Sequence, residues 1–200
     1  MVTVRAATAA DIPALSGALA RAFHDDPVMN WLVPRGEHLT RFFASELRHV
    51  YLPKGFTYTT DGLEGGALWA PPGRWKTTTA EVVRSIPALL PVMGRHMVRG
   101  LRALGAVEKA HPRERHYYLG TLGTDCDHQG KGIGSALMTP VLERCDAEGV
   151  PAYLESSKEG NVPYYQRHGF DVTGTVDLPG GGPRVWLMWR DPRPADTTDR

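Results

Sequence analysis

Residues 129–135 read Gln-Gly-Lys-Gly-Ile-Gly-Ser, three glycines alternating with other residues just ahead of an apolar stretch that can begin a helix. A glycine-rich turn into a helix leaves backbone N–H groups unpaired at the positive end of the helix dipole, a ready site for phosphate. Two familiar phosphate signatures fail here. In the dinucleotide pattern G-x-G-x-x-G, counting from Gly130 puts Ser135 at the third glycine, and counting from Gly132 puts Leu137 there. In the P-loop pattern, Gly130-Lys131 is followed by Gly132 where a magnesium-binding hydroxyl belongs, and Asp125 stands at the first glycine. A further reading, close packing of a strand on a helix, asks only for the small size of glycine.

Other residues could move protons. Glu155 lies toward the carboxyl end of the stretch Pro-Ala-Tyr-Leu-Glu-Ser-Ser, where a carboxylate could take a proton from an ammonium directly or through water. A hydrogen-bonded structural glutamate fits the same pattern, and Asp25 and Asp26 are alternative carboxylates for an acceptor site. His116, His128 and His168 are scattered without H-x-x-x-H or H-x-x-E-H spacing, so chemistry without a metal is expected. Cys126 and Cys145 are too few for a disulfide framework or a four-cysteine zinc site; both free thiols suit a reducing compartment, and Cys126 could be reactive.

These residues need strands and helices to hold them. Thr3–Thr8 alternates like a strand, and 10–23 follows as a helix with Asp11 near its start and Ile12, Leu15, Leu19 and Phe23 on one face. A second helical pattern covers 37–52, and 55–60 and 65–72 read as a hairpin. From Trp75 to Arg113 the apolar spacing is helical, broken around 86–92 by prolines, and this segment is expected to be a helical insertion. The later half reads as a strand over 116–124, a helix from Ile133 to Glu148 ended by Gly149, and a strand over 151–157. A short helix over 163–168 and a closing hairpin over 170–189 complete the pattern, and Pro140 is expected to kink the long helix. The whole is expected to be one α/β domain over 1–190 with a mixed sheet of about six or seven strands, and 191–200 a flexible tail.

Gln129-x-x-Gly132-x-Gly134 resembles the Q/R-x-x-G-x-G/A signature of the GNAT superfamily, the acetyl-CoA-dependent N-acetyltransferases. The segment "NVPYYQRHGF" resembles that family's later N...Y-x-x-x-G-F stretch, and over about 116–190 the chain is most similar to the puromycin N-acetyltransferase branch. The resemblance implies a GNAT-like fold and acetyl-CoA as cosubstrate. It implies that Gln129, Gly130, Lys131, Gly132, Ile133, Gly134 and Ser135 surround the coenzyme's pyrophosphate, with backbone amides holding it. Leu122, Gly123 and Thr124 would run beside the pantetheine arm, and Asn161 would contact the coenzyme or cap its helix. Tyr165 would protonate the leaving thiolate, with Tyr164 the competing choice, and Glu155 would be the base. A strand whose amides serve the pantetheine cannot use them fully for pairing, so the strands holding Thr124 and Glu155 should splay into a slot, eased by Gly120 and Gly123.

The 23 basic residues nearly cancel the 22 acidic ones, which argues against nucleic-acid and membrane partners. No charged start with an apolar signal core and no apolar run near ~18 residues is present, so the expected location is the cytoplasm. The acceptor pocket should form from 22–34, Trp69 and the 75–113 insertion, apolar walls near carboxylates suited to a cationic, partly hydrophobic amine. The expected function is acetyl transfer to a primary amine of a small molecule by direct attack in a ternary complex. Protein or peptide N-acetylation and a non-catalytic acyl-CoA-binding sensor are the alternatives. The insertion and closing hairpin could also provide a homodimer surface.

Overall fold

The computed structural model describes residues 2–33 and 38–193, so most of the expected tail lies outside the described residues. Among the described residues seven strands form one mixed sheet: β1 (Val4–Ala6), β2 (Thr57–Thr60), β3 (Gly65–Ala70), β4 (Tyr117–Thr124), β5 (Ala152–Ser156), β6 (Asp171–Asp177) and β7 (Arg184–Arg190), in the order β1-β2-β3-β4-β5-β7-β6. All neighbours are antiparallel except β4 and β5. That pair is joined by α6 (Ile133–Glu148), and a helical crossover is what parallel neighbours require.

Alternation along the strands sends side chains to both faces. In β3, Leu68 packs with Leu15, Leu19, Phe43 and Leu47 of α1 (Ile12–Ala22), α3 (Leu39–Ser45) and the π-helical turn that follows it, while Ala67 and Trp69 face the other way. On that opposite face Leu137, Met138 and Val141 of α6 are fully buried against Tyr117, Leu119 and Leu154. Each such aliphatic side chain contributes roughly 1.5–3 kcal/mol by leaving water. The result is helices on both faces of a sheet whose central strands are covered.

Two local features depart from the sequence reading. A helix α2 (Pro27–Leu32) appears where no element was expected, started by Pro27 at its first turn and by Asp26, whose carboxylate accepts from the Val28 and Met29 amides. The segment between β3 and β4 holds α4 (Thr79–Met93) and α5 (Met97–Ala110), and α4 runs straight through Pro87 and Pro91. Its break falls instead at Gly94, whose φ of +48° ends the helix. These two helices expose Val83, Leu90, Val98 and Leu101, the apolar residues behind the sequence-read dimer surface. α6 likewise continues past Pro140 to Gly149, which takes the left-handed conformation at φ +63°.

The two central strands part as expected. β4 and β5 are in register only at Tyr117↔Ala152, Tyr118↔Tyr153 and Leu119↔Leu154, although β4 continues to Thr124. The next β4 residue, Gly120, is the extra residue of a bulge against β3, because Thr121 pairs with Leu68 and Leu119 with Trp69. Only glycine fits there: a Cβ on Gly120 would stand 1.8 Å from the Tyr51 hydroxyl.

Candidate active site

The glycine turn forms because Gly130 and Gly132 adopt φ of +74° and +77°, a conformation that costs other residues strain. It turns the chain from β4 into α6 and leaves the first amides of that 16-residue helix facing outward. Two side chains brace it. Gln129 Nε2 donates to the Thr124 carbonyl at 3.2 Å, and the Asp125 carboxylate accepts from Arg21 Nε at 2.8 Å, tying the turn to α1. The Arg21 guanidinium holds the Asp125 carboxyl below its ordinary range.

A cavity of about 620 Å³ opens over this turn. Leu122, Gly123, Thr124, Gln129, Gly130, Gly132, Ile133, Gly134, Ser135 and Asn161 all line it, together with Tyr164 and Tyr165. Lys131 is the exception: its Nζ donates to the Asp127 carbonyl at 3.0 Å and its side chain lines a separate depression beside Thr60 and Glu64. Asn161 precedes α7 (Val162–Arg167) without capping it through its side chain, so capping does not account for it. Cys126, exposed at the rim, lies 3.5 Å from His24 Nδ1.

The two adjacent tyrosines have different surroundings. Tyr164 Oη is buried without a hydrogen-bond partner beside Gly134, where a Cβ would come within 2.7 Å of it. Tyr165 lines both the large cavity and the narrow slot between the parted ends of β4 and β5. Burial, reinforced by Tyr164 and Asp26, pushes the Tyr165 phenol above its ordinary value. Its Oη therefore stays protonated through neutral pH and serves first as a hydrogen-bond donor.

On the far side of the slot is a second cavity of about 290 Å³, walled by Phe23, Met29, Leu32, Phe42, Trp75 and Val107 and reached by the carboxyl groups of Asp26, Glu46 and Glu155. Asp26 is committed to the α2 start and to the Ser157 hydroxyl, and Asp25 pairs with Lys158 at 2.6 Å. Burial pushes the Glu46 carboxyl up to about 7, with the Lys54 charge pulling it down. Glu155 is the carboxylate that lines both this cavity and the slot. Its side chain is 9% exposed and its Oε1 lies 3.2 Å from His111 Nδ1.

His111 is a site residue that sequence reasoning missed. Its spacing to Glu155, 44 positions away, carries no motif, and only the β4–β5 pairing brings the two segments together. Glu46, brought to the cavity by the turn after α3, carries no such signal either. Among the described residues no cluster of His, Cys, Asp or Glu could hold a metal ion, and no helix is long and apolar enough to cross a membrane.

The arrangement has known counterparts. Residues 74–170 match the model of the Acetyltransferase (GNAT) family. An uncharacterised N-acetyltransferase of Schizosaccharomyces pombe is 28% identical over 200 residues, covering 92% of this chain and 81% of that protein. A Corynebacterium glutamicum structure described as histone acetyltransferase HPA2 and related acetyltransferase superposes with a TM-score of 0.74 at 26% identity, covering 98% of this chain and 99% of that one. The Drosophila melanogaster polyamine N-acetyltransferase that forms N-acetylagmatine shares the fold, with a TM-score of 0.64 at 16% identity over 96% of this chain and all of that one. Residues 74–170 thus carry the sequence features of GNAT acetyltransferases, and the chain carries the GNAT fold.

Proposed function

We propose, from that family and fold as premise, that the chain transfers an acetyl group from acetyl-CoA to a primary amine of a small molecule, by direct attack while both are bound. The observation that carries this reading is the slot: it joins a glycine-lined cavity to an aromatic one and has Tyr165 and Glu155 on its walls. Acetyl-CoA, when bound, supplies the thioester carbonyl as electrophile. The residues present suit it: outward amides at the start of α6, positive-φ glycines with open space where a Cβ would be, and a β4 edge unpaired beyond Leu119. The Arg167 side chain at the cavity rim adds positive charge for phosphate.

In this reading Glu155 removes a proton from the incoming ammonium, and Tyr165 Oη holds a hydrogen bond on the sulfur as negative charge builds there. The aromatic cavity suits a cationic, partly hydrophobic amine, since its walls are apolar and its charged groups are mainly carboxylates. At about 290 Å³ it has room for a small molecule more readily than for a peptide chain. The similarity of the later half to the puromycin N-acetyltransferase branch rests on motifs and leaves the acceptor unnamed; a cytoplasmic enzyme with both cysteines free is in keeping with it.

Thiol release measured over a panel of aryl-, alkyl- and polyamines, for the wild type and Tyr165→Phe, tests the proposal. Turnover by the wild type, reduced in the variant, is expected. Tight coenzyme binding with no turnover of any amine would overturn it in favour of a non-catalytic acyl-CoA sensor.

A further inference from the structure

Beyond Glu155 the site contains a chain of hydrogen bonds whose protons can be counted. His116 is 1% exposed, and its Nδ1 lies 2.6 Å from the Glu114 carbonyl oxygen. A carbonyl only accepts, so His116 Nδ1 carries the proton. Burial disfavours the charged ring, which leaves His116 Nε2 as a lone pair. That lone pair is 2.9 Å from His111 Nε2, so His111 donates there. In the neutral His111 ring Nδ1 is then a lone pair, and it lies 3.2 Å from Glu155 Oε1, so a proton between the two makes this contact a hydrogen bond. Two contacts hold their protons permanently, and the third is a place where one can arrive and leave.

We propose that Glu155 and His111 accept the ammonium proton as a pair, with His116 the positioning residue that keeps His111 Nδ1 free to share it. The proposal rests on the acyl-transfer reading above. In the step, one N–H bond of the ammonium breaks and its electron pair stays on nitrogen. The proton settles between Glu155 Oε1 and His111 Nδ1, taking the pair from a net charge of −1 to neutral, and later passes to water.

The surroundings fix this geometry. Trp75 stacks on His111 with ring centroids 3.6 Å apart, and Tyr153 and Tyr118 meet it edge-on at 4.7 and 5.0 Å. The other titratable groups around the pair are these two tyrosines, held neutral by burial, and Tyr51, Glu46, Asp26, Lys76 and Glu108 on the same cavity, of which Lys76 and Glu108 pair with each other at 3.3 Å. A lone carboxylate would be the captured proton's single acceptor, whereas the pair offers it two, Glu155 Oε1 and the neutral ring's His111 Nδ1.

Long-range ¹H–¹⁵N spectra of the histidine-labelled, coenzyme-bound protein read the tautomers directly. His116 should be the Nδ1–H form from pH 6 to 9 and His111 the Nε2–H form, with Nδ1 the nitrogen that gains the shared proton. In Glu155→Gln the amide would donate to Nδ1 and block that gain, and in His116→Phe His111 should show both tautomers. Kinetics with agmatine and phenethylamine give the second readout. His111→Gln should lower kcat/KM about 10²-fold at pH 7, recover roughly tenfold per pH unit as free amine supplies itself, and leave coenzyme affinity unchanged. A His116 Nε2–H tautomer, a wild-type pH profile in His111→Gln, or a loss equal at every pH would each overturn the pair. A wild type that turns over neither these amines nor any other would instead sink the acyl-transfer reading, and the tautomers would still decide the proton count.

Discussion

Gly132 and Gly149 bracket the same helix, both with left-handed backbones, at φ of +77° and +63°, and neither would bring a Cβ within 4 Å of another residue. Replacing either with alanine therefore imposes the same penalty, about 1–2 kcal/mol of backbone strain, and lowers Tm by a few degrees. Their surroundings differ in one respect: Gly132 lines the large cavity and Gly149 does not. In the proposed function, an alanine methyl at position 132 would stand where the coenzyme's phosphates approach the first amides of α6. Losing one charge-assisted hydrogen bond there costs about 1.5–3 kcal/mol, or roughly 10- to 100-fold in affinity. Calorimetric titration with coenzyme A should show that loss for Gly132→Ala and none for Gly149→Ala, while scanning calorimetry gives similar Tm decreases. If the two variants bind coenzyme alike, the glycine turn is not the donor site.

Three further outcomes are expected. Tyr165→Phe should lower kcat about 10²-fold with little change in the KM for acetyl-CoA, and Tyr164→Phe should do much less; the reverse order in steady-state kinetics would move the acid to Tyr164. Between its ordinary value of 4.5 and about 7, Glu46 keeps its proton in the folded chain but loses it on unfolding, so the wild type loses stability as pH rises through that window. The full shift corresponds to about 3 kcal/mol, and cavity water trims it to about 1–2, so urea denaturation should show Glu46→Gln gaining on the wild type between pH 5 and 8; a constant difference would refute this. Gly120→Ala should cost about 3 kcal/mol or more in urea unfolding, because Tyr51 is buried and its hydroxyl would have to move well over an ångström; a neutral effect would remove the packing explanation for the bulge.

Legibility in the sequence followed the range of the interactions. The glycine turn, α6 and its Gly149 stop are local events, set by left-handed backbones and an apolar repeat, and they read directly. The seven strands read because alternation is local too, and the parting of β4 from β5 followed from asking where backbone amides could go. α2 escaped because six residues give no periodicity, and its start depends on Asp26 folding back onto its own amides. The break between α4 and α5 was placed at the prolines because proline removes a hydrogen bond, yet the glycine's positive φ ended the helix. His111 and Glu46 stayed invisible, and His116 was read only as one of three scattered histidines, because their places in the site arise from long-range packing: a histidine can share a proton with a carboxylate only when another segment brings that carboxylate to its ring nitrogen.

The parted strands are each clamped from outside. β4 is registered with β3 along its length, from Tyr118↔Ala70 to Thr124↔Gly65, and every residue of β5 is paired with β7. Neither strand can swing across to zip the gap without breaking a ladder on its other edge. The slot is therefore a fixed fork, with tines anchored in different halves of the sheet. Under the proposed function, substrate entry and product exit would take place with the sheet left as it is.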